Sequence, residues 1–149
     1  MAAKGKTLLK VTGILLLVVA SLSLLLALLA FASGGSAFAA GGYDDDIKAE
    51  LLKRAMDYIL LGSAAFLGGA VNLTTGIFGL RYAARPEKAN RCLVMGVIAV
   101  SLDVLLFFWG LLRFRGFGGP LGNLLLLPLL ICYLVGAVMN RQDTPAKDN

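Results

Sequence analysis

The chain has 149 residues, 58% of them hydrophobic, with a formal net charge of +5 and no histidine, and its mean hydropathy is +0.82. That is the length of one domain, and it is far more apolar than a soluble domain of that length. Without histidine there is no imidazole metal site, no histidine-ligated haem and no histidine acid–base catalysis.

Four apolar runs reach the roughly 20 residues that a spanning helix needs: Val11 to Phe31, Tyr58 to Tyr82, Cys92 to Leu112 and Leu121 to Met139. Backbone groups in lipid must be paired within their own segment, and the runs lack the alternation of a membrane β-barrel. The expected fold class is therefore all-α, an integral membrane four-helix antiparallel bundle forming one domain. Residues 32–57 are expected to be an outer loop with a helical end, and 140–149 a polar tail.

The first run carries a seam at Gly13, Leu16, Ala20, Ser23, Ala27 and Ala30. Ala37-Phe38-Ala39 fits a small-x-small signal cleavage site, but the preceding apolar run exceeds the 7 to 15 residues typical of a signal peptide. A retained first helix is expected; cleavage would leave three. Ala32 to Gly42 is rich in Gly, Ala and Ser and reads as a flexible loop. In Asp44-Asp45-Asp46, helix N-capping outweighs a weak cation site. Ile47, Leu51, Ala55 and Tyr58 recur at helical spacing, so the second helix starts near Asp46 or follows a short surface helix.

The second helix is crowded with small residues. Gly62, Gly69 and Gly76 are seven apart, and Ala65, Asn72 and Gly79 repeat at seven on the adjoining ridge. Small residues allow the close backbone approach that drives helix association in lipid. This helix is the expected packing centre. Pro86 ends it by Ala84 and opens the third helix near Glu87. That helix has its own seam, Cys92, Gly96, Ala99, Asp103, Leu106 and Gly110, and its aromatic residues Phe107, Phe108 and Trp109 suit an interfacial belt. Arg113 to Gly119 reads as a Gly-rich outer turn, and Pro128 is expected to kink the last helix.

Charge sets the topology. Lys4, Lys6, Lys10, Arg81, Arg85, Lys88, Arg91, Arg141 and Lys147 fall on one side; Lys48, Lys53, Arg54, Arg113 and Arg115 fall on the other. The excess places both termini in the cytoplasm. These cations flank the apolar runs, so the expected partner is the lipid bilayer rather than nucleic acid. Arg113 and Arg115 are expected to face Asp44 to Asp46. Cys92 and Cys132 lie at different depths, ~12 Å apart along the helix axes, beyond disulfide reach.

Asp103 is the only acid within an apolar run. Counting from the same membrane edge, Asn72, Asp103, Ser23 and Pro128 all lie ~15 to 18 Å deep, near the middle of a ~30 Å core. A carboxylate there costs at least ~2.5 kcal/mol to insert and should face inward. Asn72 is its expected partner, with Ser23 a further member of the polar layer. Two roles compete. In one, the pair fixes which helix faces which. In the other, Asp103 exchanges a proton or holds a cation. A lone acid makes a poor relay, which favours the structural role. No Cys-x-x-Cys and no Gly-x-Ser-x-Gly occurs, so neither of those redox and hydrolase chemistries is expected. Asn72-Leu73-Thr74 spells a glycosylation acceptor, but within a helix it should go unmodified.

The segments Gly76-Ile77-Phe78-Gly79-Leu80-Arg81, Arg85-Pro86-Glu87-Lys88-Ala89-Asn90-Arg91-Cys92 and Gly96-Val97-Ile98 resemble small four-span bacterial membrane proteins with a Gly-rich helix and a Pro-Glu-Lys-Ala turn. About 25 residues carry the resemblance, which implies topology rather than chemistry. Four-span drug transporters of the small multidrug resistance type carry their key acid in the first helix, and here that helix has none. Claudin-like proteins have an outer Trp and Cys pair that the first outer loop lacks. The expected function is that of a non-enzymatic scaffold or accessory subunit in a bacterial inner membrane, without cofactor or metal. It would act through helix contacts as a homo-oligomer or on a larger membrane partner. The alternative is a small proton- or cation-coupled transporter using Asp103.

Overall fold

The computed structural model describes residues 4–39, 45–114 and 121–142, and side chains within α4 from Leu126 onward. The fold is all-α. Helix α1 runs Lys4–Ala39, α2 Asp45–Tyr82, α3 Ala89–Phe114 and α4 Leu121–Gln142, with a short 3-10 turn, Pro86–Lys88, between α2 and α3. Three helices are long and apolar enough to cross a membrane: Gly5–Ser36, Ile47–Tyr82 and Pro86–Arg113. In α4 the stretch Leu126–Gln142 is apolar but shorter.

Residues 32–39 are not a loop, and residues 40–44 lie outside those described. Helix α1 continues through Ala39, and α2 begins at Asp45. At 36 and 38 residues, these helices are ~54 and ~57 Å long, against ~39 Å for the 26 residues of α3. Glycine is a poor helix former in isolation. Here tertiary contact overrides that preference, because a methyl group at Gly34 would stand 3.1 Å from the Ala55 carbonyl oxygen. The small residues are spent on contact with α2.

That contact belongs to a series. Gly13 faces Gly76, Ala20 faces Gly69, Ala27 faces Gly62, and Gly34 faces Ala55. Both sides advance by seven residues, in opposite directions, so α1 and α2 are antiparallel and keep one register along their length. In every layer a methyl group on the glycine would lie within 2.9 to 3.4 Å of the opposing carbonyl oxygen. The two backbones come so close that even a methyl group crowds the opposing carbonyl oxygen. Leucine-sized residues at these positions would hold the helices apart.

Helix α4 packs against α1 and α3, and α3 against α2. Gly5 lies on the Asn140 backbone, and Gly136 lies against Leu8 and Leu9. The key between helices is Tyr133, fully buried. Its ring fills the space left by two glycines: a methyl group would be 2.6 Å from the ring at Gly79 and 3.1 Å at Gly96. Leu9, Leu16, Cys92, Ala99, Leu130 and Ala137 complete the core. Each helix also keeps an exposed apolar flank, such as Ile14, Val18 and Leu25 on α1, Phe66 and Ile77 on α2, Val97 and Leu105 on α3, and Ile131 and Val135 on α4. Such surface is a liability in water and costs nothing among lipid chains.

The turn forms as the proline requires. Arg85 is extended, at φ −127° and ψ 83°, because the Pro86 ring disfavours helical geometry in the preceding residue. The α2 end closes through the Ala83 amide donating to Gly79 and the Arg85 amide donating to Tyr82. Pro128 lies inside α4, which is assigned as one continuous helix. Neither cysteine is in a disulfide; Cys92 is buried and Cys132 exposed.

Candidate functional site

Helix α2 presents two adjoining seams. One, Ala55, Gly62, Gly69 and Gly76, is spent on α1. The other, Gly68, Asn72, Thr75 and Gly79, is buried; Gly68 faces α3, while Gly79 meets Tyr133 of α4 and also Leu9 and Gly13 of α1. Asn72 sits on this second seam, and α3 carries Asp103 on the seam opposite. The antiparallel pairing brings the two to one level. Asp103 is 1% exposed and Asn72 2%. Asn72 Nδ2 donates to both carboxyl oxygens of Asp103, at 3.2 Å to Oδ2 and 3.4 Å to Oδ1. A methyl group at Gly68 would be 3.6 Å from Asp103 Oδ1 and 3.3 Å from Leu106, so Gly68 makes room for the carboxyl group. Asn72 Oδ1 is buried and has no hydrogen-bond partner.

Ser23 is not drawn into this pair. It is half-buried on α1, and its hydroxyl donates to the Val19 carbonyl at 3.0 Å. The reason is local: a serine in a helix can always bond the carbonyl four residues back. Thr12, Thr75 and Thr74 do the same. Pro128 is exposed. The helix-packing positions Gly62, Gly69, Gly76, Gly96, Ala99 and Gly110 are all buried. Gly96 meets Tyr133 and Leu134 rather than α2.

Three contributors escape sequence reading. Gly68 and Thr75 share the four-three-four spacing of Gly68, Asn72, Thr75 and Gly79, a signal masked by the stronger seven-residue repeat beside it. Tyr133 left no signal, because nothing in the sequence says which helix fills the holes at Gly79 and Gly96. The Cys92 thiol, next to this ring, donates to the Phe78 carbonyl at 3.4 Å.

Where α3 ends, Arg113 Nη2 meets Asp57 Oδ1 of α2 at 2.7 Å. The arginine thus takes an acid within the helix; Arg115 and the side chains of Asp44 to Asp46 lie outside the described residues. Both groups are about a third exposed or more, so the pair is worth only ~0 to 1 kcal/mol. Arg113→Gln is accordingly expected to shift the detergent-solubilised melting temperature slightly at low salt and not at all at high salt.

Chemically, the pair can hold two helices in register, exchange one proton at Asp103, or offer a carboxylate and an amide oxygen to a small cation. Among the described residues no three or more Asp, Glu, Cys or His side chains converge as a metal site. Comparison with protein-family models, curated proteins and solved structures gives no match.

Proposed function

We propose that the chain is a four-span antiparallel bundle of a bacterial cytoplasmic membrane, with both termini in the cytoplasm. It acts as a non-enzymatic scaffold or accessory subunit through helix contacts with copies of itself or with a larger membrane partner. The observation that carries this reading is the division of each helix. Among the residues whose side chains are described, every glycine but Gly35, together with the Asn72–Asp103 pair, is buried in internal contacts, while every helix keeps an exposed apolar flank. Those flanks are the surface left for a partner. The resemblance to small four-span bacterial proteins supports the topology. Native co-purification tests the reading: a stoichiometric membrane partner or a defined homo-oligomer without ion flux is expected. A lone protein that carries flux would overturn it.

A second reading, proton- or cation-coupled transport centred on Asp103, is favoured by one atom. Asn72 Oδ1 is a buried acceptor left unsatisfied. A proton on Asp103, or a cation between the two side chains, would satisfy it after rotation of the amide.

The topology has its own test. Gly35 is exposed, with no atom near where its side chain would be. In a background lacking Cys92 and Cys132, Gly35→Cys and Pro145→Cys are expected to react with impermeant thiol reagents from opposite sides. Labelling from one side would end the four-span arrangement.

A further inference from the structure

The cations at the two ends of the molecule are used differently. At the far end of α2 and α3 two cations sit in ion pairs, Arg54 with Glu50 and Arg113 with Asp57, and exposed Lys53 stands beside them. At the end where α2 turns into α3, the cations among the described side chains are Lys6, Lys10, Arg81, Arg85, Lys88, Arg91 and Arg141, all exposed except the half-buried Lys88. Glu87 is the only carboxylate there among the described residues, and none of the seven is in an ion pair with a described residue. Two of them are organised: Arg81 and Lys88 both lie over the buried ring of Tyr82, at 5.8 and 5.5 Å from its centroid. Helix α4 touches this turn, and near its C-terminus it carries Asn140, 2% exposed, whose Nδ2 has no acceptor.

Depth identifies the partner. On each helix one of these cations stands three to five residues beyond an exposed apolar residue, toward this end: Arg81 after Ile77, Arg91 before Val94, Arg141 after Val138, and Lys6 before Val11. That is ~5 to 8 Å along the axis, the step from hydrocarbon to headgroup. An acidic soluble protein would have to reach into that layer; a phospholipid already lies in it.

We infer that this end of the protein binds anionic phospholipid headgroups, with Arg81 and Lys88, set on Tyr82, as the phosphate-holding pair. The inference rests on the membrane reading of the fold. Each Lys or Arg near an anionic surface is worth roughly fivefold in affinity.

The full chain is incorporated into phosphatidylcholine nanodiscs with a minor share of phosphatidylglycerol, and the phosphatidylglycerol retained after delipidation is counted by native mass spectrometry. The triple variant Arg81→Gln, Arg85→Gln, Lys88→Gln is compared with Lys53→Gln, Arg54→Gln, Arg113→Gln, which removes the same charge from the opposite end. The first is expected to lose about a hundredfold in phosphatidylglycerol affinity and the second to retain it. Equal loss in both, or no loss in the first, overturns the inference. So does equal competition by inorganic phosphate or by a soluble polyglutamate peptide, which would mean that the site answers to any anion in solution. Failure of the wild-type chain to enter nanodiscs at all would overturn the membrane reading itself, a distinct result.

Discussion

Gly76→Leu is expected to cost stability at the upper end of the ~1 to 3 kcal/mol typical of overpacking. The first carbon of the new side chain would stand 2.9 Å from the Gly13 carbonyl oxygen and 3.0 Å from Leu17 Cγ. The first obstacle is backbone, so no side-chain rotation relieves it. The whole of α1 must move out, and the layers at Gly69 and Gly62 open with it. Gly35→Leu is the control on the same helix pair, since nothing lies near that position; it should not destabilise, and leucine's better helix propensity should add up to ~1 kcal/mol. Thermal unfolding in detergent reads both. Equal melting temperatures would mean that backbone contact between α1 and α2 does not hold the fold. A companion measurement separates this seam from the Tyr133 key. Gly79→Ala places a methyl group 2.6 Å from the ring, and Tyr133→Leu should relieve that clash. The double-mutant cycle should then show a coupling of ~0.5 to 3 kcal/mol, whereas strict additivity would place Tyr133 elsewhere.

The largest functional effect is expected at Asp103. As structural glue, Asp103→Asn keeps the size and the bonding capacity, and the fold should survive with little loss. Asp103→Leu leaves both polar atoms of Asn72 buried and unpaired, at a cost of ~0.6 to 2 kcal/mol. The double replacement Asn72→Leu, Asp103→Leu removes both partners and should recover most of that cost, because an orphaned polar group is more expensive than an absent pair. As a coupling site, Asp103→Asn should abolish proton-linked flux in reconstituted vesicles while the melting temperature stays near wild type, because an amide cannot release the proton. Loss of fold in Asp103→Asn would contradict both roles.

Composition and spacing alone specify much of this protein. Apolar runs of spanning length dictate helices, because lipid leaves a backbone no other way to pair its groups. Pro86 dictates where α2 stops, by a clash within two residues. The seven-residue repeat of Gly62, Gly69 and Gly76 announces a close-packed face, and the lone acid at Asp103 announces an inward-facing one. These are local properties, or properties of one helix against a uniform solvent.

Other features needed the third dimension. Ala32 to Gly42 has the composition of a loop, yet α1 runs through Ala39, because Gly34 meets the backbone at Ala55 and each added layer is stabilised by the helix opposite. Ser23 has the right depth for the polar layer, but depth does not fix azimuth, and its hydroxyl is satisfied within its own helix. Asn72 and Gly76 lie four residues apart and serve different neighbours, one α3 and the other α1. A sequence shows that a face is small or polar; which partner meets it depends on the register of helices that are remote along the chain. Tyr133 is the clearest case, since the holes at Gly79 and Gly96 are visible as glycines while the ring that fills them comes from a helix that the sequence does not point to.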